Sequence, residues 1–191
     1  PATLKNVIIQ GAAEKGTVIK NSLLCSFDGS SSVYEGITFN GIVFDNSQIV
    51  FTGQKGGEVV YKDWTINNCE FKNIESTENA AVHFNLAPDE KLENLTFTNN
   101  VIKGVTGGNV SGLRANFLTG KINVTGNDIS NVAWNAVQFI NADAAEVTIQ
   151  NNSFASGADE GLLNLYNVKA TNLTITKNKF LVNEGQSGIA Y

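Results

Sequence analysis

Two side chains with distinctive chemistry occur once each in the 191 residues: the histidine His83 and the arginine Arg114. They stand in similar short stretches, AVHFN and GLRAN, and Gln138 holds the same place in a third stretch, AVQFI. Histidine can exchange a proton near neutral pH, whereas arginine is a permanent cation that pairs well with carboxylates. An element that brings the three together would create a polar patch able to contact a ligand or to assist a proton transfer.

The other ionisable side chains show no motif. No two aspartates are adjacent, and no tight set of carboxylates indicates a calcium site. Cys25 and Cys69 have no CxxC spacing and no neighbouring histidine, so neither zinc nor a disulfide framework is indicated. We expect both cysteines to be small buried side chains. The aspartates are scattered: Asp28, Asp45, Asp63, Asp89, Asp128, Asp143 and Asp159.

Composition excludes some partners. The net charge is −5, with 13 basic and 18 acidic residues, and no basic run offers the concentrated cationic face that nucleic acid requires. No apolar stretch approaches the roughly 20 residues of a membrane span. The length suits one domain covering residues 1–191. The chain opens at Pro1 without a visible signal peptide, so we expect it to be a piece of a longer chain.

A repeat runs through the sequence, with related copies in LTFTNNVIKGV at 95, VTIQNNSFASG at 147 and LTITKNKFLVN at 173. Each copy has an inward apolar anchor, an asparagine three residues later in the last four copies, and a second large apolar residue five residues after the anchor. Successive anchors are 25–31 residues apart. The anchors are Ile9, Phe39, Ile66, Phe97, Val124, Ile149 and Ile175. The second column is Phe44, Phe71, Ile102, Ile129, Phe154 and Phe180.

A period near 26 with about three short strands per copy predicts a right-handed parallel β-helix of about seven coils. Strands of successive coils would stack about 4.8 Å apart, with apolar columns in a narrow core. Asn100, Asn127, Asn152 and Asn178 would mark a corner, where an amide can bond the backbone or the asparagine one coil away. A leucine-rich repeat, the competing fold, requires more leucine and a helix or longer arc in each copy.

The pattern (L/V)-T-(I/F)-x-N-N-x-(F/I) resembles the coil repeats of the pectin lyase-like superfamily and of repeat domains in bacterial secreted and surface proteins. The resemblance covers nearly the whole chain. It implies a fold shared by pectate lyases, polygalacturonases, phage tailspikes, adhesins and non-catalytic sugar binders. It also implies an extracellular or cell-surface location.

The resemblance supplies tests for catalysis. The NTD, DD, G-H-G and R-I-K strings of polygalacturonase-like members are absent from the sequence. Lyase-like members use an Arg or Lys base beside a uronate carboxylate, often with Ca²⁺ bound by acidic residues. On that analogy, Arg114 and His83 are the candidate catalytic residues and Ca²⁺ is a conceivable cofactor; no cofactor is otherwise indicated. A lone arginine is a poor base because its pKa lies far above neutral pH.

Sugar binding is the other use of these residues. With Val82, Leu113 and Val137 inward, alternation places His83, Arg114 and Gln138 in one outward, solvated column. Pyranose rings stack on flat aromatic faces, so Trp64 and Trp134 join them as candidate ligand-binding residues, although burial is the usual fate of an aromatic side chain. Two outward columns of Thr, Asn and Gln in the first strand form a polar strip that could also accept a sugar chain.

Neither end of the repeat carries an obvious cap, so edge-strand or end-to-end association is expected. The sequence favours a non-catalytic extracellular β-helix domain that binds glycans or serves as an adhesin-like surface module. The alternatives are a polysaccharide lyase or glycoside hydrolase acting on an acidic polysaccharide, and a structural spacer. Exposed aromatics without convergent carboxylates would favour binding, and a featureless face would favour the spacer.

Overall fold

The chain folds as a parallel β-solenoid of about six turns of ~27 residues, with three parallel sheets. The computed structural model describes residues 3–12, 15–26, 32–53, 59–77, 80–155 and 161–191, with the backbone alone for 24–26. Within these residues no helix is long and apolar enough to cross a membrane. The predicted fold is confirmed, at about six turns where the repeat predicts about seven coils.

The strands, numbered in chain order, stack into sheets A, B and C. Sheet A contains β1 (Thr3–Lys5), β2 (Ile8–Gln10), β5 (Val33–Glu35), β6 (Thr38–Asn40), β9 (Val60–Asn67), β12 (Lys91–Thr98), β15 (Leu118–Thr125), β18 (Asp143–Gln150) and β21 (Lys169–Thr176). Sheet B contains β3 (Thr17–Lys20), β7 (Ile42–Asp45), β10 (Glu70–Ser76), β13 (Val101–Gly107), β16 (Asp128–Val132), β19 (Ser153–Ala155) and β22 (Lys179–Leu181). Sheet C contains β4 (Leu23–Ser26), β8 (Gln48–Thr52), β11 (Ala80–Asn85), β14 (Ser111–Asn116), β17 (Val137–Ile140), β20 (Leu163–Tyr166) and β23 (Ile189–Ala190).

Both predicted apolar columns are in register. In sheet A each anchor pairs with the anchor of the next coil, from Ile9 through to Ile175. In sheet B the second column pairs in the same way, from Phe44 to Phe180. The members in the middle coils are fully buried, whereas Ile9 is 38% exposed because it lies in the first coil. These columns form the core.

Aromatic rings fill the N-terminal half of that core. Phe44 stacks on Phe71 with ring centroids 4.6 Å apart, and Phe51 stacks on Phe84 at 5.5 Å. Trp64 meets the Phe51 ring edge-on at 4.6 Å. Offset or edge-on contacts of this kind add to the free energy gained by burying the rings.

The corner between sheets A and B is formed by two neighbouring residues of each coil, which have different roles. The first adopts a positive φ, which Asn and Gly tolerate better than other residues; this column is Gly41, Asn68, Asn99, Gly126, Asn151 and Lys177. The second is the predicted asparagine column, whose first three members, Asn100, Asn127 and Asn152, are almost fully buried. The sequence therefore identified the corner but did not separate these two roles.

The buried asparagines form a continuous amide ladder. The backbone N–H of Asn100 donates to Oδ1 of Asn127 at 2.8 Å, and that of Asn127 donates to Oδ1 of Asn152 at 2.9 Å. Each Nδ2 donates back to a carbonyl of the preceding coil, as Asn127 does to Phe97 at 2.9 Å. The ladder begins at Cys69, whose N–H donates to Asn100 Oδ1. Cys69 is fully buried, as predicted; the side chain of Cys25 lies outside the described part.

Replacing a ladder asparagine should be costly. Asn127→Ala removes the acceptor of the buried Asn100 N–H and a donor to the Phe97 carbonyl, so we expect the free energy of unfolding to fall by about 2–3 kcal/mol. Urea unfolding measures this. The matched control is Asn123→Ala in β15, where the side chain is half-buried; an equal loss for both variants would contradict the role of the ladder.

Lys177 is the one lysine in the positive-φ column of the A–B corner, with φ +57° and an exposed side chain. Since a left-handed conformation costs most residues roughly 1–2 kcal/mol and asparagine less, we expect Lys177→Asn to stabilise the protein by about 1 kcal/mol. Lys179→Asn, in strand β22, makes the same chemical change without that backbone conformation. Thermal unfolding of both variants distinguishes relief of strain from a general effect of removing a lysine.

Candidate functional site

The outer face of sheet C brings together three of the candidate site residues. His83 in β11 pairs with Arg114 in β14, and Arg114 pairs with Gln138 in β17. The column continues to Val50 on one side and to Asn164 on the other. The predicted juxtaposition is therefore present, with neighbouring side chains about one strand spacing apart.

The column is less open than expected. His83 is 4% exposed and Gln138 is 8% exposed, so the prediction of a solvated face is wrong for these two residues. Arg114, between them, is half-buried. Alternation along a strand fixes the side of the sheet that a residue occupies, but it does not reveal whether the rest of the chain covers that side.

Burial also sets the charge of the column. Burial, and secondarily the nearby Arg114 cation, lower the pKa of His83 from 6.5 to about 4. His83 is therefore neutral at neutral pH, and Arg114 carries the charge of the column. Among the described residues, Arg114 has neither an ion pair nor a side-chain hydrogen bond.

Gln138, next to Arg114 in the column, has an Oε1 that is buried without a hydrogen-bond partner. Ser111 Oγ and Asn135 Oδ1 are also buried without one. These two residues stand two positions before the inward Leu113 and Val137, so alternation places them on the inward side of sheet C, away from Arg114. Buried polar groups of proteins are nearly always satisfied by protein, water or ligand.

The aromatic candidates separate into core and surface. Trp64 is 2% exposed, and its Nε1–H donates to the Tyr34 carbonyl at 3.1 Å, so it belongs to the core and offers no face to a sugar. The sequence contained that signal, because Trp64 stands two residues before the inward Ile66. Trp134, by contrast, is half-buried in the turn before β17, where its backbone N–H donates to the Val110 carbonyl. Trp134 remains a candidate contact residue.

The described residues do not fit a calcium site. No group of three His, Cys, Asp or Glu side chains lies close enough together there to hold a metal ion. Glu70 and Asp128 share an outward column of sheet B, as the repeat predicts, but Val101 separates them and each carboxylate has a lysine partner. Asp28 and Asp159 lie outside the described residues.

The polar strip on the outer face of sheet A is in register as predicted. One column begins with Thr38, Thr65 and Thr96, and the other with Asn40 and Asn67. Several side chains bond one another, because Asn67 Nδ2 donates to Asn40 Oδ1 at 2.8 Å and Thr98 Oγ1 donates to Asn67 Oδ1 at 2.8 Å.

Sequence reasoning predicted the strip but missed the shallow groove that includes part of it. The groove has a volume of about 780 Å³ and crosses β9, β12, β15 and β18. It lies at a bend within sheet A, where Asp63, Asn94 and Gly120 adopt positive φ. These residues recur at the repeat spacing, shortly before the inward Trp64, Leu95 and Ile122. The column was therefore visible in the sequence. The groove was not visible, because its shape depends on how the bend changes from coil to coil.

The fold and these surfaces define an all-β solenoid with polar outer faces. No protein-family model matches the chain, and no curated protein matches it significantly. The structure shows the fold. The resemblance to the pectin lyase-like superfamily stays a prediction.

The low pKa of His83 makes stability depend on pH. Below pH 6.5 the unfolded histidine takes up a proton that the native one takes up only near pH 4. Stability that is fully present above pH 6.5 is therefore lost as pH falls through this window, by about 3 kcal/mol in all. Urea unfolding at several pH values should show a shallower decline for His83→Gln than for the native chain. Identical slopes would contradict the buried neutral state of this histidine.

Proposed function

We propose that this chain is an extracellular, non-catalytic glycan-binding module that holds an acidic sugar residue at Arg114 on sheet C. The observation that carries the proposal is the half-buried Arg114, whose guanidinium has no acidic partner among the described residues. Seven described lysines each lie within 4.0 Å of a carboxylate oxygen, and four others without such a partner are exposed, so Arg114 is set apart by being half-buried. The paired lysines are Lys5, Lys15, Lys20, Lys62, Lys72, Lys103 and Lys121; the exposed ones are Lys91, Lys169, Lys177 and Lys179.

The neighbours of Arg114 suit a sugar ligand. A guanidinium binds a carboxylate through two parallel hydrogen bonds, and partial burial strengthens that interaction. The Oε1 of Gln138 is buried and lacks a hydrogen-bond partner, so a rotation of this side chain would bring an acceptor to a sugar hydroxyl. Neutral His83 adds no second charge, so one carboxylate or sulfate per site balances the column. The half-buried Trp134, at the start of the same strand region, could supply an apolar edge.

Binding is favoured over catalysis for a physical reason. A lyase needs a base that reaches the proton beside the uronate carboxylate. A guanidinium is a permanent cation and so a poor proton acceptor, and His83 is 4% exposed, so neither side chain is well placed to take that proton. An adhesin-like role on the cell surface is compatible with the same binding site, and the spacer alternative requires no site at all.

The proposal predicts retention of the protein in native gels containing polygalacturonate or alginate. Arg114→Ala should weaken the affinity at least about tenfold, as expected for the loss of a charge-assisted contact. Arg114→Lys keeps the charge but cannot form two parallel hydrogen bonds, so its affinity should lie between those of the native protein and of Arg114→Ala. Lys91→Ala removes an exposed cation of sheet A and serves as the matched control for charge alone.

The outcomes separate the three functions. Retention that is lost with Arg114→Ala and kept with Lys91→Ala supports the binding module. Release of unsaturated sugar products, followed by ultraviolet absorbance and abolished by Arg114→Ala, would instead make the protein a lyase. Absence of both retention and products would overturn the proposal in favour of the structural spacer.

A further inference from the structure

The groove on sheet A is formed by a stepwise widening of the bend. One residue, Asn94, separates the outer column at Glu93 from the inward Leu95 in β12. In β15 two residues, Gly120 and Lys121, occupy the equivalent place, and in β18 there are three, residues 144–146. The strand pairing shifts register at these two steps. Such bulges bend strands and often lie beside functional sites.

Small residues keep the widened region open. Gly120 has φ +70°, and a side chain there would collide with Asn94 Oδ1, which accepts the Lys121 N–H at 2.8 Å. Ala145 stands exposed in the bulge of β18 and lines the groove. The bend thus opens a trough lined in part by half-buried side chains.

The walls of the groove offer paired donors and acceptors. Asn123, Thr148 and Gln150 line it, each half-buried. Amide and hydroxyl groups can both donate and accept, which is the complement of a sugar hydroxyl. Similar groups recur at each coil, about 4.8 Å apart, so the trough repeats its chemistry along the solenoid axis over about 14 Å.

The charges of the groove are already engaged. Lys121 Nζ lies 3.9 Å from Glu146 Oε2, and Asp63 Oδ1 accepts a hydrogen bond from Asn94 Nδ2 at 2.7 Å. A charged ligand would have to displace these partners. The groove therefore differs from the environment of Arg114, where a cation lacks a partner.

From this geometry we propose that the sheet A groove is a second binding site, which takes a linear uncharged polysaccharide laid along the solenoid axis. The proposal is independent of the acidic-sugar site on sheet C. A peptide fits less well. Strand β15 is hydrogen-bonded on both edges, by β12 and β18, so it cannot accept an added strand. The lining Ile122 is 1% exposed and provides no apolar pocket for a side chain.

The test is native electrophoresis in gels containing a linear xylan, a linear mannan or a linear β-glucan. We expect retardation by at least one of them. Ala145→Trp should fill the trough and weaken that retardation at least tenfold. Ser130→Trp, on the outer face of sheet B, places the same bulk outside the groove and should have no effect. Circular dichroism and thermal unfolding verify that both variants fold.

Where Ala145→Trp is unfolded, Gln150→Ala replaces it as a milder variant, with a severalfold loss expected. Retardation unchanged by the groove variants, or no retardation by any of the three polymers, overturns the proposal. Arg114→Ala should leave neutral binding intact, and Ala145→Trp should leave retention on polygalacturonate intact. Failure at one site is therefore distinguishable from failure at the other.

Discussion

The structure depends on how the chain satisfies its backbone at the corner between sheets A and B. A solenoid turns sharply once per coil at this position, and buried N–H groups there have no strand partner on the same chain segment. The ladder from Asn100 to Asn178 supplies an amide oxygen to each of them and returns an Nδ2 donor to the coil before. Because an unsatisfied buried donor costs about 1–3 kcal/mol, this constraint fixes asparagine at the corner more firmly than packing alone would.

Much of the architecture could be predicted from the sequence, because the repeat encodes it directly. Register follows from aligning Phe39, Ile66 and Phe97, and the same alignment places His83 beside Arg114. The register of a strand and the side to which each of its side chains points follow from the local sequence. The burial of His83 and Gln138 is not local information, since it depends on what packs against their side of the sheet. Trp64 was misjudged for a simpler reason: its spacing from Ile66 points inward, whereas its residue type suggested a sugar platform.

The groove shows a different limit of sequence reasoning. A bend is indicated by the recurrence of Asp63, Asn94 and Gly120. The bend gains one residue in β15 and another in β18, but the variable spacing of the repeat hides both additions. In the aligned anchors those additions are offset by shortening elsewhere in the coil. Only the strand pairing reveals that the bend widens. The two candidate sites thus differ in origin: one is a column of side chains, and the other is a change in backbone shape.

The amide ladder starts only at Cys69 and Asn100, and the aromatic stacks are concentrated before that point. Apolar columns run through both halves, but the N-terminal half adds aromatic stacks to them and the C-terminal half adds the amide ladder. Burial of apolar rings weakens on cooling, because its driving force near room temperature is largely entropic. Hydrogen bonding along the ladder does not share that dependence. Lowering the temperature shifts the weakest point of the molecule towards its N-terminal coils, so the solenoid has a thermal polarity along its axis.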